Sequence, residues 1–219
     1  MSEAAAHYFA AAVRRMCRDN RAVLELTETV ITIATERESP LWLANGTFLR
    51  GWALADQGQF EEGIAAMKQG LAGWRALGND QLGQPSLLLA DMYCRAGKAA
   101  EGLRLMATAV PELQRSGERW WEAELYRIKG ELLFASTDTG LESEAEQYFH
   151  KAVMVSRQQA AKSLELRATM SLCRLWQQQG KTEDARELLS GIYGWFTEGF
   201  ATGDLQEAAA LLKSLAANV

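Results

Sequence analysis

A small residue returns about every forty positions along this chain, in a fixed relation to a glycine. The stretches Ala55–Leu71 (ADQGQFEEGIAAMKQGL), Cys94–Val110 (CRAGKAAEGLRLMATAV) and Gln177–Tyr193 (QQQGKTEDARELLSGIY) share the pattern. Each has a glycine (Gly58, Gly97, Gly180) and, five positions on, a small residue (Gly63, Gly102, Ala185). Glu142–Val153 (ESEAEQYFHKAV) puts Ala145 in the same register, and Asn20–Ile31 (NRAVLELTETVI) puts Val23 there more loosely. The intervals from Val23 to Ala185 are 40, 39, 43 and 40 residues, the long one holding the polar stretch ASTDTGLES. Such a period predicts stacked helical hairpins. Two helices approach closely only where side chains are small, and large residues one turn away fill the flanking grooves. The glycine supplies the left-handed conformation that ends the first helix. A lone hairpin leaves one face uncovered, so stacking on a neighbour is obligatory.

Composition agrees. The chain has 219 residues, 48% hydrophobic and 23% charged, with only three prolines. Ala, Leu, Glu, Gln and Arg dominate, which favours helix. The net charge of −5, with Lys and Arg scattered among acids, argues against nucleic acid, whose binders carry a basic stripe. Cys17, Cys94 and Cys173 lie far apart without CxxC spacing, so each is expected to be a small buried residue rather than a disulfide or zinc ligand. No stretch approaches the roughly 20 apolar residues of a membrane span, and the N-terminus lacks a signal-peptide pattern. The expected compartment is the cytoplasm.

The register resembles the tetratricopeptide repeat, which pairs two antiparallel helices, A and B, per unit. Repeat two carries the resemblance best, with Gly51, Leu54, Gly58, Phe60, Gly63, Met67 and Gly70. The expected fold is all-α: a tetratricopeptide-like right-handed α-solenoid of about five helix pairs plus a C-terminal capping helix. Repeats are placed at 4–38, 40–78, 82–116, 118–160 and 162–196, with the capping helix at 203–217, all in one domain. The helices are Ala4–Arg18, Asn20–Arg37, Pro40–Gln57, Phe60–Leu77, Gln84–Ala96, Ala99–Arg115, Glu118–Ala135, Glu142–Gln159, Lys162–Gln179 and Thr182–Trp195, then Gly203–Ala217. Ser39-Pro40 reads as a cap and first-turn pair, Thr182 as a cap, and Pro111 as a bend or a restart. The aromatic and glycine-rich GIYGWFTEGF (Gly191–Phe200) reads as a tight reversal packing the last helix onto repeat five, a ligand-binding patch being the other reading. Trp120-Trp121 is expected to send one ring into the core and the other to a groove or the surface.

Longer strings resemble one bacterial family: LWLANGTFLRGWALADQGQFEEGIAAMKQGL, WWEAELYRIKGELL, QQAAKSLELRATMSLCRLWQQQGK and IYGWFTEGF. They look like the C-terminal helical-repeat region of STAND-type ATPase regulators, often described as adenylate/guanylate cyclase-like or LuxR-like multidomain proteins. The resemblance runs from about Arg21 to Leu215 and implies a sensor or scaffold beside an ATPase and an output domain. The chain has no GxxxxGK[ST] loop and no paired cyclase aspartates, so it is expected to be an excised regulatory region without those activities.

Tetratricopeptide folds usually bind through the face lined by A helices. That resemblance nominates Asn45, Phe48, Trp52 and Asp56 from repeat two, and Asp91 and Arg95, with Gln84 and Leu87, from repeat three. Repeat four offers Glu124, Arg127 and Glu131; repeat five offers Arg167, Met170, Arg174 and Gln178, with Tyr8 and Arg15 extending the surface. Arg127, Arg167 and Arg174 could form a fork for carboxylate or phosphate, and an exposed Trp52 with Phe48 could anchor a peptide. The expected function is a non-enzymatic interaction module for a protein or peptide segment, or for ATPase and effector domains of the same polypeptide. A small-molecule sensor with a closed internal pocket is the alternative. No cofactor or metal, no nucleic acid and no membrane is expected, and a homodimer through the first repeat is left open. With two histidines, His7 and His150, and no nucleophile–base pair, catalysis has little to work with.

Overall fold

A computed structural model describes residues 2–79, 82–117, 119–136 and 140–217. Among these residues the regular structure is entirely helical. Contacts divide the chain into two compact units, Met1–Ser116 and Gly117–Val219. The first holds α1 (Ser2–Met16), α2 (Asn20–Glu36), α3 (Pro40–Asp56), α4 (Phe60–Ala76), α5 (Gly83–Arg95) and α6 (Ala99–Ser116). The second holds a 3-10 turn at Arg119–Trp121, then α7 (Glu122–Phe134), α8 (Glu142–Gln158), α9 (Lys162–Gln178), α10 (Thr182–Tyr193) and α11 (Gly203–Ala217). Within each unit, consecutive helices pack as antiparallel hairpins, and each hairpin packs on the next in chain order.

The turns explain the period. Arg18, Glu38, Gly58, Gly78 and Gly97 in the first unit, and Ala160 and Gly180 in the second, all have positive φ and follow a helix end. At each, the amide of the next residue reaches back to a carbonyl five positions earlier: Ser39 N–H to Ala34 O at 2.8 Å, Gln59 to Leu54 at 3.0 Å, Lys181 to Trp176 at 2.9 Å. This double-bonded left-handed terminus satisfies the last carbonyls of the helix. In the first unit it recurs at positions 18, 38, 58, 78 and 97, so each helix with its turn takes about twenty residues and each hairpin forty. The glycine signal exposes only some of these turns, because Arg18, Glu38 and Ala160 hold the same conformation at a steric cost.

Close packing sits where the small residues predict it. A Cβ on Gly51 would lie 2.6 Å from Gly63 O, one on Gly63 2.5 Å from Ala55 N, and one on Gly70 2.7 Å from Phe48 Cβ. The α3 and α4 backbones therefore touch, with Leu49, Ala53, Met67 and Leu71 buried alongside. In the second unit Gly130 meets the Phe149 ring in the same way. There, Leu166, Met170 and Cys173 of α9 join Ala185, Leu189 and Ile192 of α10 and Leu205, Ala208, Leu211 and Leu215 of α11 in one core.

Several details differ from expectation. Thr182 is the first helical residue rather than the cap, which is Lys181, and Ser39 occupies the cap position without a side-chain bond. Pro111 does not restart a helix; α6 runs through it to Ser116. The fourth pair opens with a 3-10 turn instead of α-helix. Glu118, the expected first residue of that helix, and residues 137–139 of the polar insertion lie outside the described residues. Helix α11 contacts α9 and α10 as α9 contacts α7 and α8. The expected capping helix thus takes the place of another A helix. Cys17 is exposed rather than buried. Of the tryptophan pair, Trp121 is buried and Trp120 exposed.

The space and backbone angle at four positions set the sign of four substitutions. Gly51→Ala or Gly63→Ala should lower the unfolding free energy by roughly 1–3 kcal/mol, because a methyl would strike backbone atoms. Gly191→Ala on α10 should raise it by roughly 0.5–1 kcal/mol, since its Cβ meets nothing within 4 Å. Ala160→Gly should also stabilise, by about 0.5–1 kcal/mol, by relieving the left-handed conformation (φ 53°). Urea unfolding of each variant measures all of them.

Candidate functional site

The A helices carry polar ladders whose members pair with one another. In the first unit the Asp56 carboxylate, at the end of α3, receives Arg95 of α5, which also donates to Asp56 O at 3.2 Å. Asn20 donates to the same carboxylate, and Arg18 stands 3.9 Å from it. The Asp56 side chain is only 4% exposed, so three successive hairpins are tied at one carboxylate. In the second unit Arg127 is held by Glu124 (2.7 Å) on its own helix, with Glu131 at 3.6 Å. Glu131 accepts from Ser171 of α9 at 2.6 Å. Arg167 donates to Asp204 (2.7 Å) and Arg174 to Glu207 (2.5 Å), both on α11.

These pairings revise the expected site. Arg127, Arg167 and Arg174 do not converge as an open fork for an anion; each already faces a carboxylate of the chain. Trp52 is not an exposed anchor. It is 4% exposed and lies under the Arg15 guanidinium, 5.7 Å from its ring centre. Phe48 is buried against Trp74 (5.0 Å between rings), and Asn45 is buried, accepting the Trp74 indole N–H at 2.7 Å. Phe48 and Asn45 face α4, where Gly70 gives Phe48 room, whereas Trp52 is buried beneath Arg15 of α1. Leu87 and Met170 are core residues as well. Asp91 is half-buried, and Gln178 is exposed.

An open concavity of the second unit lies along α10. A cleft of about 590 Å³ is lined by one face of that helix: Asp184, Glu187, Leu188, Gly191, Ile192 and, just beyond its end, Trp195. Its other wall is Arg157 at the end of α8, Lys162 and Glu165 in the first turn of α9, and Trp176. Arg157 and Lys162 each donate to Glu165 at 2.7 Å. The Lys162 ammonium sits over the Trp195 ring at 5.8 Å. Trp195 is 58% exposed. Trp176 is half-buried, its N–H donating to Glu146 at 2.6 Å. The aromatic segment is therefore divided. Tyr193 and Phe196 pack on the α9–α10–α11 core, as the reversal requires, whereas Trp195 and Phe200 face solvent. The reversal expected of this segment does not involve Gly191, which lies inside α10 and whose Cβ would meet nothing within 4 Å.

Several titrating groups of the second unit are displaced from their ordinary values. Burial pushes the Cys173 thiol up to about 12, which removes it as a nucleophile near neutral pH. The Trp176 hydrogen bond holds the Glu146 carboxyl below its ordinary value. Burial pushes the Glu165 carboxyl up, but Lys162 and Arg157 outweigh it, and the net direction is down. Among the described residues no three His, Cys, Asp or Glu side chains cluster to hold a metal. No described helix is long and apolar enough to cross a membrane.

The succession of hairpins, with A helices touching A helices, decides the architecture. The fold is an α-solenoid of the tetratricopeptide-like kind. Solved TPR-like repeats of a kinesin light chain-like protein from Podosopora anserina superpose with a TM-score of 0.56 at 18% identity. A point variant of the same repeats gives 0.58 at 17%. Both alignments cover 86% of this chain and 92% of the other. No protein-family model matches the chain, and no curated protein does. Tetratricopeptide-like folds generally serve protein interaction and are generally non-catalytic.

A pH dependence follows from Glu165. Its folded value lies below the unfolded one, so its stabilisation is complete above about pH 4.3 and lost as pH falls through the folded value. Glu165→Gln should lower the melting temperature at neutral pH and flatten the decline on acidification. Thermal melts from about pH 7 to about pH 3 test this against the wild type.

Proposed function

We propose that this chain is a non-enzymatic protein-interaction module that holds a polypeptide segment in the cleft along α10. The observation that carries this reading is Gly191. A glycine inside an exposed helical turn costs helix stability of about 1 kcal/mol. At Gly51, Gly63, Gly70 and Gly130, in the hairpin seams, a neighbour stands within 3 Å of where a Cβ would lie. Gly191 instead opens onto a cleft beside exposed Trp195, which suits close approach of a ligand backbone. Asp184 and Glu187 on the same wall favour a basic segment, and the two tryptophans offer it stacking surfaces. The paired residues of the A-helix face, Glu131, Arg167 and Arg174 among them, take part by fixing α7, α9 and α11 in place. A small-molecule sensor fits less well, since charged side chains line much of the cleft and Trp195 stands in solvent.

The resemblance of its sequence to STAND-type regulators supports reading such a module as the sensor or regulatory region of a larger signalling ATPase or transcription regulator. An upstream nucleotide-binding domain in the same reading frame is expected on this reading, and its absence would remove the regulatory role while leaving the cleft untouched.

Selection of displayed random peptides on the 219-residue chain tests the cleft. Retained peptides should be basic, and Gly191→Leu and Trp195→Ala should each weaken them at least about tenfold, roughly 1.4 kcal/mol. Gly191→Leu should do so without lowering the melting temperature. Peptides that bind both variants as tightly as the wild type would place the site elsewhere.

A further inference from the structure

Helix α1 shows solvent a stripe that every comparable A helix hides. Phe9 and Val13 are 62% and 60% exposed, with Met16 at 52% and Ala6 and Ala10 exposed beside them. The repeat register places Phe9 and Val13 at the positions of Leu49 and Ala53 in α3, Leu88 and Met92 in α5, and Ser171 and Leu175 in α9. Those six residues are at most 6% exposed. The helices that bear them each pack on the B helix before them: α3 on α2, α5 on α4, α9 on α8. In α3 the neighbouring Gly46 lies against Val30 and Ile31 of α2. The surface on α1 is thus built to receive another amphipathic helix.

We propose that a second copy of this chain supplies that helix, through α1 itself, in an antiparallel two-fold pairing. Three features favour a copy over a foreign helix. The stripe is self-complementary, because the bulky Phe9 lies near its middle with Ala6 and Ala10 beside it to admit the opposing ring. The charges are placed for an antiparallel partner: Glu3 in the first turn and Arg14 in the last lie on the same flank of the stripe. A two-fold axis near Phe9 brings Glu3 of one copy beside Arg14 of the other, twice. The contacts these groups hold within one chain, Glu3 to Arg37 (3.2 Å) and Arg14 to Asp19 (3.5 Å), are exposed at both ends and weak enough to exchange. One helix pair buries less than the ~1,200 Å² of a stable interface, so the dimer is a micromolar one. This inference is independent of the cleft along α10, which lies in the other unit.

Sedimentation equilibrium of the full chain between about 10 and about 500 micromolar is the test. The wild type should rise from the mass of one chain toward two. Phe9→Asp/Val13→Asp should stay at one chain throughout, with unchanged helical circular dichroism because both sites are exposed. Glu3→Arg should weaken association, and Glu3→Arg/Arg14→Glu should restore it. A one-chain mass at every wild-type concentration overturns the proposal, even if a synthetic peptide of the α2 sequence binds, since the surface would then take a foreign helix. A dimer indifferent to Phe9→Asp/Val13→Asp, or a charge-swapped variant as weak as Glu3→Arg alone, overturns it equally.

Discussion

The contact between backbones at Gly51 and Gly63 is the constraint on which the first unit depends. With methyl-free positions facing each other, α3 and α4 come closer than ordinary side chains permit, and Phe48 folds down over Gly70. Everything lateral then follows. Trp74 can lie on Phe48 and donate to Asn45, so a polar amide in a buried helix is satisfied rather than costly. The second unit uses a milder version, one glycine beneath one aromatic ring at Gly130 and Phe149.

The architecture was legible in the sequence because it is written in residues that have few alternatives. The small seam positions and the turn glycines marked the helix ends to within about two residues at nearly every boundary. What escaped was the conformation, not the place, of the turns built without glycine. At Arg18, Glu38 and Ala160 the left-handed conformation is imposed by the helices on either side and leaves no compositional trace. The candidate site was less legible. Position on an A helix says that a residue is near the inner surface, but not whether a neighbour has already claimed it. Phe48 and Asn45 turned toward α4, Trp52 is covered by Arg15 of α1, and the three arginines found carboxylates on their own helix or on the next A helix. The cleft along α10 was signalled only by Gly191 and Trp195, inside a segment whose other aromatics are largely structural.

The charged pairs between A helices have a shared logic. Asp56 is bound by groups from the hairpins on both sides of it, and α11 is attached through Arg167–Asp204 and Arg174–Glu207 as well as through its apolar face. Partly buried pairs of this kind add little net stability when desolvation is counted. They do fix register, since a sliding helix would leave a carboxylate without its cation. Apolar seams made of small residues tolerate such sliding, and the ion pairs do not.

The even cadence of the turns also determines where this chain can change length. One residue added inside a helix rotates every later side chain by about 100° and carries the seam off its partner. A connection has no such obligation. From the small residue of the A helix to that of the B helix is twelve positions in three of the hairpins, Gly51 to Gly63, Ala90 to Gly102 and Cys173 to Ala185. In the fourth, Gly130 to Ala145, it is fifteen. The three surplus residues have accumulated between α7 and α8, the place where growth leaves both rods in phase.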